Sequence, residues 1–168
     1  MTQEIFIRII ADGAVVPVVL IGVYALVFKI PKEQRLQAYV RILMAGLTAY
    51  LLAKLIGAIY QPSVDRPFEL MGTIAGASFL NNPGFPSDHT LFLTAITCAV
   101  WFETKQKIIT IILAGLIIVV CVGRVLALVH TPADVIGGVI IALIGSLWYL
   151  NARPKSTKST LVLPLQQK

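Results

Sequence analysis

The chain has 168 residues and a formal net charge of +6 at pH 7; 57% of its residues are hydrophobic and only 13% are charged. This composition excludes an ordinary soluble domain, and the length suits a single membrane-embedded, all-α helix bundle over residues 1–168. We expect the positive charge to reflect orientation in the membrane rather than a nucleic-acid partner.

Five runs with little charge predict transmembrane helices, because a bilayer crossing needs roughly 20 residues. These runs cover residues 9–28, 39–60, 87–102, 108–129 and 133–150. Glu4 precedes the first basic residue, Arg8, and no small-residue cleavage site follows the first run, so we expect a retained span rather than a signal peptide. Residues 61–86 are rich in proline and glycine and hold one short apolar stretch, which predicts a re-entrant or interfacial segment.

The basic residues are unevenly divided between the two ends of these spans. Ten of the fourteen flank the first connection, the third connection or the C-terminus. The positive-inside rule therefore places the C-terminus, with its polar tail of about residues 152–168, in the cytoplasm and the N-terminus outside. We expect a multi-pass protein of the plasma (inner) membrane whose second connection faces away from the cytoplasm.

Polar residues concentrate at the predicted outer ends of three helices. The third span begins with "PSDHT", the fourth ends with "GRVLALVH", and the fifth begins with "TPADVIGG". The residues that would converge are Ser87, Asp88, His89, Arg124, His130 and Asp134, with Lys54 and Arg66 at the same face. Arginine and lysine bind phosphoryl oxygens, one imidazole can attack phosphorus, and the other can protonate the leaving oxygen. The pattern therefore favours phosphoryl transfer, and Ser87 as an N-cap would open an anion site at a helix N-terminus.

Each of these residues also has a purely structural interpretation. In "TPAD", Thr131 and Asp134 can form a capping box, and both histidines can be ordinary interfacial side chains. The cations within the spans can extend to the headgroups. Two histidines and an aspartate could also bind a metal, but three nearby cations argue against a divalent ion, so we expect no metal. The cysteines, Cys98 and Cys121, lie in apolar runs and are expected to be small buried side chains.

The same residues resemble the signature of the type 2 phosphatidic acid phosphatases, a family related to vanadium haloperoxidases and bacterial acid phosphatases. The third part of that signature, S-R-x5-H-x3-D, matches "GRVLALVHTPAD", and the second, P-S-G-H, matches "PSDH". The first, K-x6-R-P, matches Lys54 and Arg66-Pro67. There are three departures. Gly123 replaces a serine, and Asp88 replaces a glycine. Eleven residues separate Lys54 from Arg66, which a loop insertion around "QPSVD" would explain.

Within this family, "PSDHT", "HTPADVIGG" and the five-span size are most similar to bacterial undecaprenyl-diphosphate phosphatases of cell-wall biogenesis. The resemblance implies hydrolysis in two steps without a metal or cofactor. His130 would attack phosphorus and form a phosphohistidine, Asp134 would orient its imidazole, and His89 would protonate the leaving group. The phosphoryl oxygens would be held by Lys54, Arg66, Ser87, the N–H of Asp88, and Arg124.

The resemblance leaves the substrate open. It would be an isoprenoid phosphate or a glycerophospholipid phosphate, such as phosphatidic acid or phosphatidylglycerol phosphate. A lipid phosphotransferase of the same family is an alternative, because a phosphohistidine does not dictate its acceptor. A non-enzymatic transporter has no support, since the sequence shows no internal repeat.

Overall fold

A computed structural model describes residues 2–61, 65–80 and 84–151 of the chain, and these residues form helices and connections without any β-strand. The first long helix comprises α1 (Thr2–Arg8), a π-helical turn (Ile9–Gly13), called here the N-terminal π turn, and α2 (Val15–Phe28). A 3-10 turn (Lys32–Gln34) leads into α3 (Arg35–Ile59), and a short α4 (Pro67–Leu70) follows. The remaining elements are α5 (Asp88–Ala99) with a π-helical turn (Val100–Thr104), α6 (Lys107–Leu126), and α7 (Pro132–Gly145) with a 3-10 turn (Ser146–Asn151).

Four helical segments within the described residues are long and apolar enough to cross a membrane, and the protein is therefore a membrane protein. They are Thr2–Phe28, Lys32–Ile59, Lys107–Leu126 and Pro132–Leu150. They coincide with four of the five predicted spans, although the first begins at Thr2 rather than at residue 9. The other predicted span, 87–102, lies on α5 and the π-helical turn after it. That segment is shorter than the other four, so the count of five spans stays a prediction.

Helix α5 lies at the centre of the bundle, where it packs against α2, α3, α6 and α7. Its buried residues include three hydroxyl side chains, Thr90, Thr94 and Thr97. The Thr97 hydroxyl donates to the Leu93 carbonyl at 3.0 Å, so this polar group is satisfied within its own helix. A helix enclosed by other helices can carry such groups, because they do not face lipid. The central position of α5 therefore accounts for its buried hydroxyl groups.

Helix α3 has one face of small residues and one of large residues. The small face, Ala45, Ala49, Ala53 and Gly57, is buried. The large face is exposed and consists of Leu43, Leu47, Leu51 and Leu55. Small residues at every fourth position let membrane helices approach closely. At Gly145 of α7, a Cβ atom would lie only 2.6 Å from the Ala45 carbonyl oxygen. The helix therefore packs through its small residues and presents leucine outward, as expected in lipid.

The segment between α3 and α5, residues 61–86, is called here the outer segment, and it covers the end of α6. Its Phe68 N–H donates to the Leu128 carbonyl, and its Gly76 N–H donates to the Ala127 carbonyl, both at 3.0 Å. The outer segment is thus docked onto the connection between α6 and α7. Residues 62–64 and 81–83 lie outside the described part of the chain, and they include most of the predicted "QPSVD" insertion. A re-entrant or interfacial location stays a prediction.

Candidate active site

The connection between α6 and α7, residues 127–131, carries His130 and is called here the His130 loop. Leu128 turns the chain with a left-handed φ of 59°. Thr131 then caps α7: its Oγ1 accepts from the Asp134 N–H at 3.2 Å, and its own N–H donates to Asp134 Oδ2 at 2.7 Å. The predicted capping box is confirmed. It places His130 immediately before a well-anchored helix start, with only 5% of the residue exposed.

The His130 imidazole lies next to the Asp134 carboxylate but is not hydrogen-bonded to it. The distance from Nδ1 to Asp134 Oδ2 is 3.6 Å, and Nδ1 has no hydrogen-bond partner among the described residues. The same Oδ2 already accepts from Thr131. The structure therefore places Asp134 beside the ring, on its Nδ1 side, and the orienting role stays a prediction.

Burial lowers the pKa of His130, because an imidazolium ion loses its hydration there. Asp134 opposes this change, while the positive charges of Arg124 and Arg66 lower the pKa further. The lowered pKa favours the neutral ring at physiological pH. A neutral imidazole keeps a lone pair on the nitrogen remote from Asp134, as a nucleophile requires.

Arg124, near the end of α6, is almost completely buried, with 1% of the side chain exposed. Its Nη1 donates to Asp12 Oδ1 at 2.9 Å, whereas its Nε has no partner within residues 2–61, 65–80 and 84–151. Asp12 lies in the N-terminal π turn and was not among the predicted site residues. A signal for it exists in the sequence: a lone carboxylate within an apolar run requires a partner, and Arg124 was also lacking one.

The start of α5 is joined to the start of α7. The Ser87 N–H donates to the Asp134 carbonyl at 3.0 Å. Ser87 occupies the N-cap position, as predicted, but its side chain makes no capping hydrogen bond. Its buried hydroxyl instead accepts from the Thr90 hydroxyl at 3.2 Å. The next residue but one, His89, is half-buried and interacts electrostatically with Arg124 and His130. These contacts bring the second and third parts of the signature into one site.

Lys54 and Asp88 form an ion pair at the edge of this site. Lys54 Nζ lies 3.4 Å from Asp88 Oδ1, and both side chains are partly exposed. A cleft between α3 and α5 begins at this pair and is lined further along by Gly46, Tyr50, Leu91, Phe92 and Ala95. The Asp88 carboxylate is thus directed to Lys54. This pairing removes part of the repulsion that its charge would exert on a phosphate.

Arg66 connects the outer segment to the His130 loop. Its Nη1 donates to the Val129 carbonyl at 2.6 Å and its Nη2 to the Leu80 carbonyl at 3.0 Å. It is buried, and it interacts electrostatically with Asp88 and Asp134. The structure brings Arg66 to the site, but with two of its nitrogens bound to backbone carbonyls. Its positive charge acts at the site whether or not it touches a phosphate, and phosphate binding by Arg66 stays a prediction.

A family model, described as the PAP2 superfamily, matches residues 37–158, well over half of the chain. The chain belongs to the PAP2 superfamily. Membership indicates a phosphatase of the lipid-phosphate type, in agreement with the apolar helices. No curated protein and no solved structure shows significant similarity to the chain. The first long helix, with Asp12, lies outside the matched residues.

Proposed function

We propose that the protein hydrolyses a lipid diphosphate at the outer face of the membrane, with undecaprenyl diphosphate converted to undecaprenyl phosphate as the leading candidate reaction. The observation that carries this proposal is the convergence of His89, Arg124 and His130 at one end of the bundle. Arg124 and His130 are buried there, and each retains a nitrogen without a partner in the described structure. The open Arg124 Nε–H is suited to an anion that arrives with the substrate, whereas the open His130 Nδ1 lies on the side of the ring that faces Asp134.

The first step would form a phosphohistidine. The Nε2 lone pair of His130 attacks the terminal phosphorus, and the bond between that phosphorus and the bridging oxygen breaks. His89 gives a proton to the departing lipid phosphate, and Asp134 stabilises the positive charge that develops on the His130 ring. In the second step, His89 takes a proton from a water molecule that attacks phosphorus. The nitrogen–phosphorus bond then breaks and inorganic phosphate leaves.

The remaining predicted residues would bind the phosphoryl group. Arg124 offers an unpaired Nε–H. The N–H groups at the start of α5, including that of Asp88, face the same end of the bundle, and a helix N-terminus favours an anion. Ser87, Lys54 and Arg66 complete the predicted set. Positive charge is most effective in a buried site, because little water screens it.

The cleft between α3 and α5 supports a lipid substrate. Apart from Lys54 and Asp88 at its outer end, it is lined by glycine, alanine, leucine and aromatic side chains. Its volume is about 340 Å³. A lipid tail lying along α3 and α5 would leave its phosphate at the Lys54–Asp88 end. The tail could therefore reach the cleft sideways from the membrane.

Phosphate release from a panel of purified lipid phosphates tests the proposal. The panel should contain undecaprenyl diphosphate, phosphatidic acid and phosphatidylglycerol phosphate, in detergent, with and without EDTA. We expect the highest kcat/KM with the diphosphate and no effect of EDTA. A higher kcat/KM with phosphatidic acid or phosphatidylglycerol phosphate would make a phosphate monoester the substrate. Transfer of phosphate to an added lipid would indicate a phosphotransferase. If no lipid of the panel releases phosphate, hydrolysis is refuted.

The orientation of the site gives a separate prediction. Ile74, in the outer segment, is 92% exposed, and Glu33, in the connection between α2 and α3, lies at the opposite end of the bundle. In a background without Cys98 and Cys121, Ile74→Cys should react with an impermeant thiol reagent on intact cells. Glu33→Cys should react only after lysis. The reverse pattern would place the site in the cytoplasm and assign it a cytoplasmic-leaflet lipid.

A further inference from the structure

We infer that Asp12 is a positioning residue of the phosphate site, supplied by the first long helix to hold the Arg124 guanidinium in place. The inference rests on the proposed function, since it assigns Arg124 to the phosphoryl group. Asp12 lies outside the residues that match the superfamily, so the family signature does not include it. Three features of the described residues support this role.

The first feature is the way the Asp12 carboxylate is held. Oδ1 accepts from Arg124 Nη1 and from the Ser78 hydroxyl, both at 2.9 Å. Oδ2 accepts from the Ser78 N–H, also at 2.9 Å. The carboxylate is thus bound from two sides, by α6 and by the outer segment. Because Ser78 holds the carboxylate with two donors, its N–H and its hydroxyl, Asp12 is a fixed acceptor for Arg124 Nη1. The Arg124 Nε–H is left for a ligand.

The second feature is the burial of the positively charged Arg124 side chain next to Asp12. A guanidinium with 1% exposure is strongly disfavoured unless a negative charge is close. Asp12 provides that charge before the substrate binds. The ion pair therefore keeps the Arg124 guanidinium in the same place in the substrate-free protein. The Asp12 side chain is 24% exposed, so the carboxylate keeps part of its hydration while it contacts the buried guanidinium. A substrate phosphate would then meet an arginine that is already oriented.

The third feature is the close contact between the N-terminal π turn and Gly123. A Cβ atom on Gly123 would lie 2.7 Å from the Ala11 nitrogen and 2.8 Å from the Ile10 carbonyl carbon. Both are backbone atoms and cannot swing aside. Glycine at position 123, where the family signature has serine, therefore admits the turn that carries Asp12. Ala11 also packs with Ala127 and Val129 of the His130 loop, so this turn contacts the chain on both sides of Arg124.

A double-mutant cycle tests the inference. Asp12→Asn should lower kcat/KM with the best lipid phosphate by about ten- to a hundredfold, and should weaken inhibition by orthovanadate to a similar degree. In an Arg124→Ala background, Asp12→Asn should cause little further loss. Ser78→Ala is the matched control, because it removes the hydroxyl donor to Asp12 Oδ1 but keeps the backbone N–H donor and the Asp12 charge, so its loss should be smaller than that of Asp12→Asn. Additive losses, or unchanged or raised activity in Asp12→Asn, would overturn the positioning role.

Two further measurements separate a lost positioning role from lost folding and from failure of the proposed reaction. Orthovanadate should raise the melting temperature of the wild-type protein in detergent, and Asp12→Asn should lose this shift while it keeps a cooperative transition. Gly123→Ala should lose activity as Asp12→Asn does, whereas Gly115→Ala, on the same helix but with open space around its Cβ, should not. A vanadate shift that needs Asp12, in a protein without lipid phosphatase activity, would uphold the positioning role and refute only the proposed reaction. If the wild-type protein shows no vanadate shift and no activity, both the positioning role and the proposed reaction are refuted. Full activity in Gly123→Ala would refute the role of the contact between Gly123 and the N-terminal π turn.

Discussion

His130→Ala should abolish phosphate release while the protein still inserts and folds. The imidazole would be the nucleophile that forms the covalent intermediate, and alanine has no group that can attack phosphorus. Loss of a covalent nucleophile should lower kcat by several powers of ten. The ring is buried next to Asp134 at the start of α7, but the cap of that helix is made by Thr131, so the helix should persist without it.

Two readouts separate lost chemistry from lost structure. His130→Ala should elute as a monodisperse species in detergent and should still be stabilised by orthovanadate, since Arg124 is intact. Wild-type protein quenched under alkaline conditions with radiolabelled substrate should carry a phosphoryl group, because phosphohistidine survives base and not acid. His130→Ala should carry none. Phosphate release near the wild-type rate would remove His130 from the nucleophile role and favour direct attack by water.

Local sequence patterns predicted the structural features that depend on residues close together in the chain. The "TPAD" capping box depends on residues three apart, and it forms as expected between Thr131 and Asp134. Hydropathy predicted the spans with large apolar side chains directed to lipid. It also predicted α5, but not that α5 is the central helix, whose threonines are buried against other helices. Amphipathic and apolar patterns report the surroundings of a helix face, and these differ between the centre and the edge of a bundle.

Contacts between distant parts of the chain could not be predicted in the same way. Asp12, in the N-terminal π turn, binds Arg124 across 112 residues of sequence, and no local pattern specifies that contact. Arg66 binds the Val129 carbonyl across 63 residues of sequence. The motif placed Arg66 at the site, but it could not show that two nitrogens are engaged by backbone. Such details depend on packing, which is a property of the assembled bundle.

His89→Asn should reduce activity much more on a lipid monophosphate than on a diphosphate with the same tail. His89 is half-buried and interacts electrostatically with Arg124 and His130, and it is the proposed donor of a proton to the leaving oxygen. A general acid typically contributes about 10²–10⁴-fold to a rate. An alkoxide leaving group needs that proton, whereas a departing phosphate is already a stable anion. Asparagine can donate a hydrogen bond but cannot transfer a proton.

Farnesyl diphosphate and farnesyl monophosphate make the comparison clean, because they differ only in the leaving group. The ratio of wild-type to His89→Asn kcat/KM should be at least about tenfold larger for the monophosphate. His130→Asn serves as the matched control: it makes the same substitution at the other histidine and should be inactive on both substrates, since both need the nucleophile. Equal losses on the two substrates would mean that His89 acts by binding and not by proton transfer. Wild-type activity of His89→Asn on both would make His89 an ordinary residue of the membrane interface, and the leaving group would then depart without a proton from this chain.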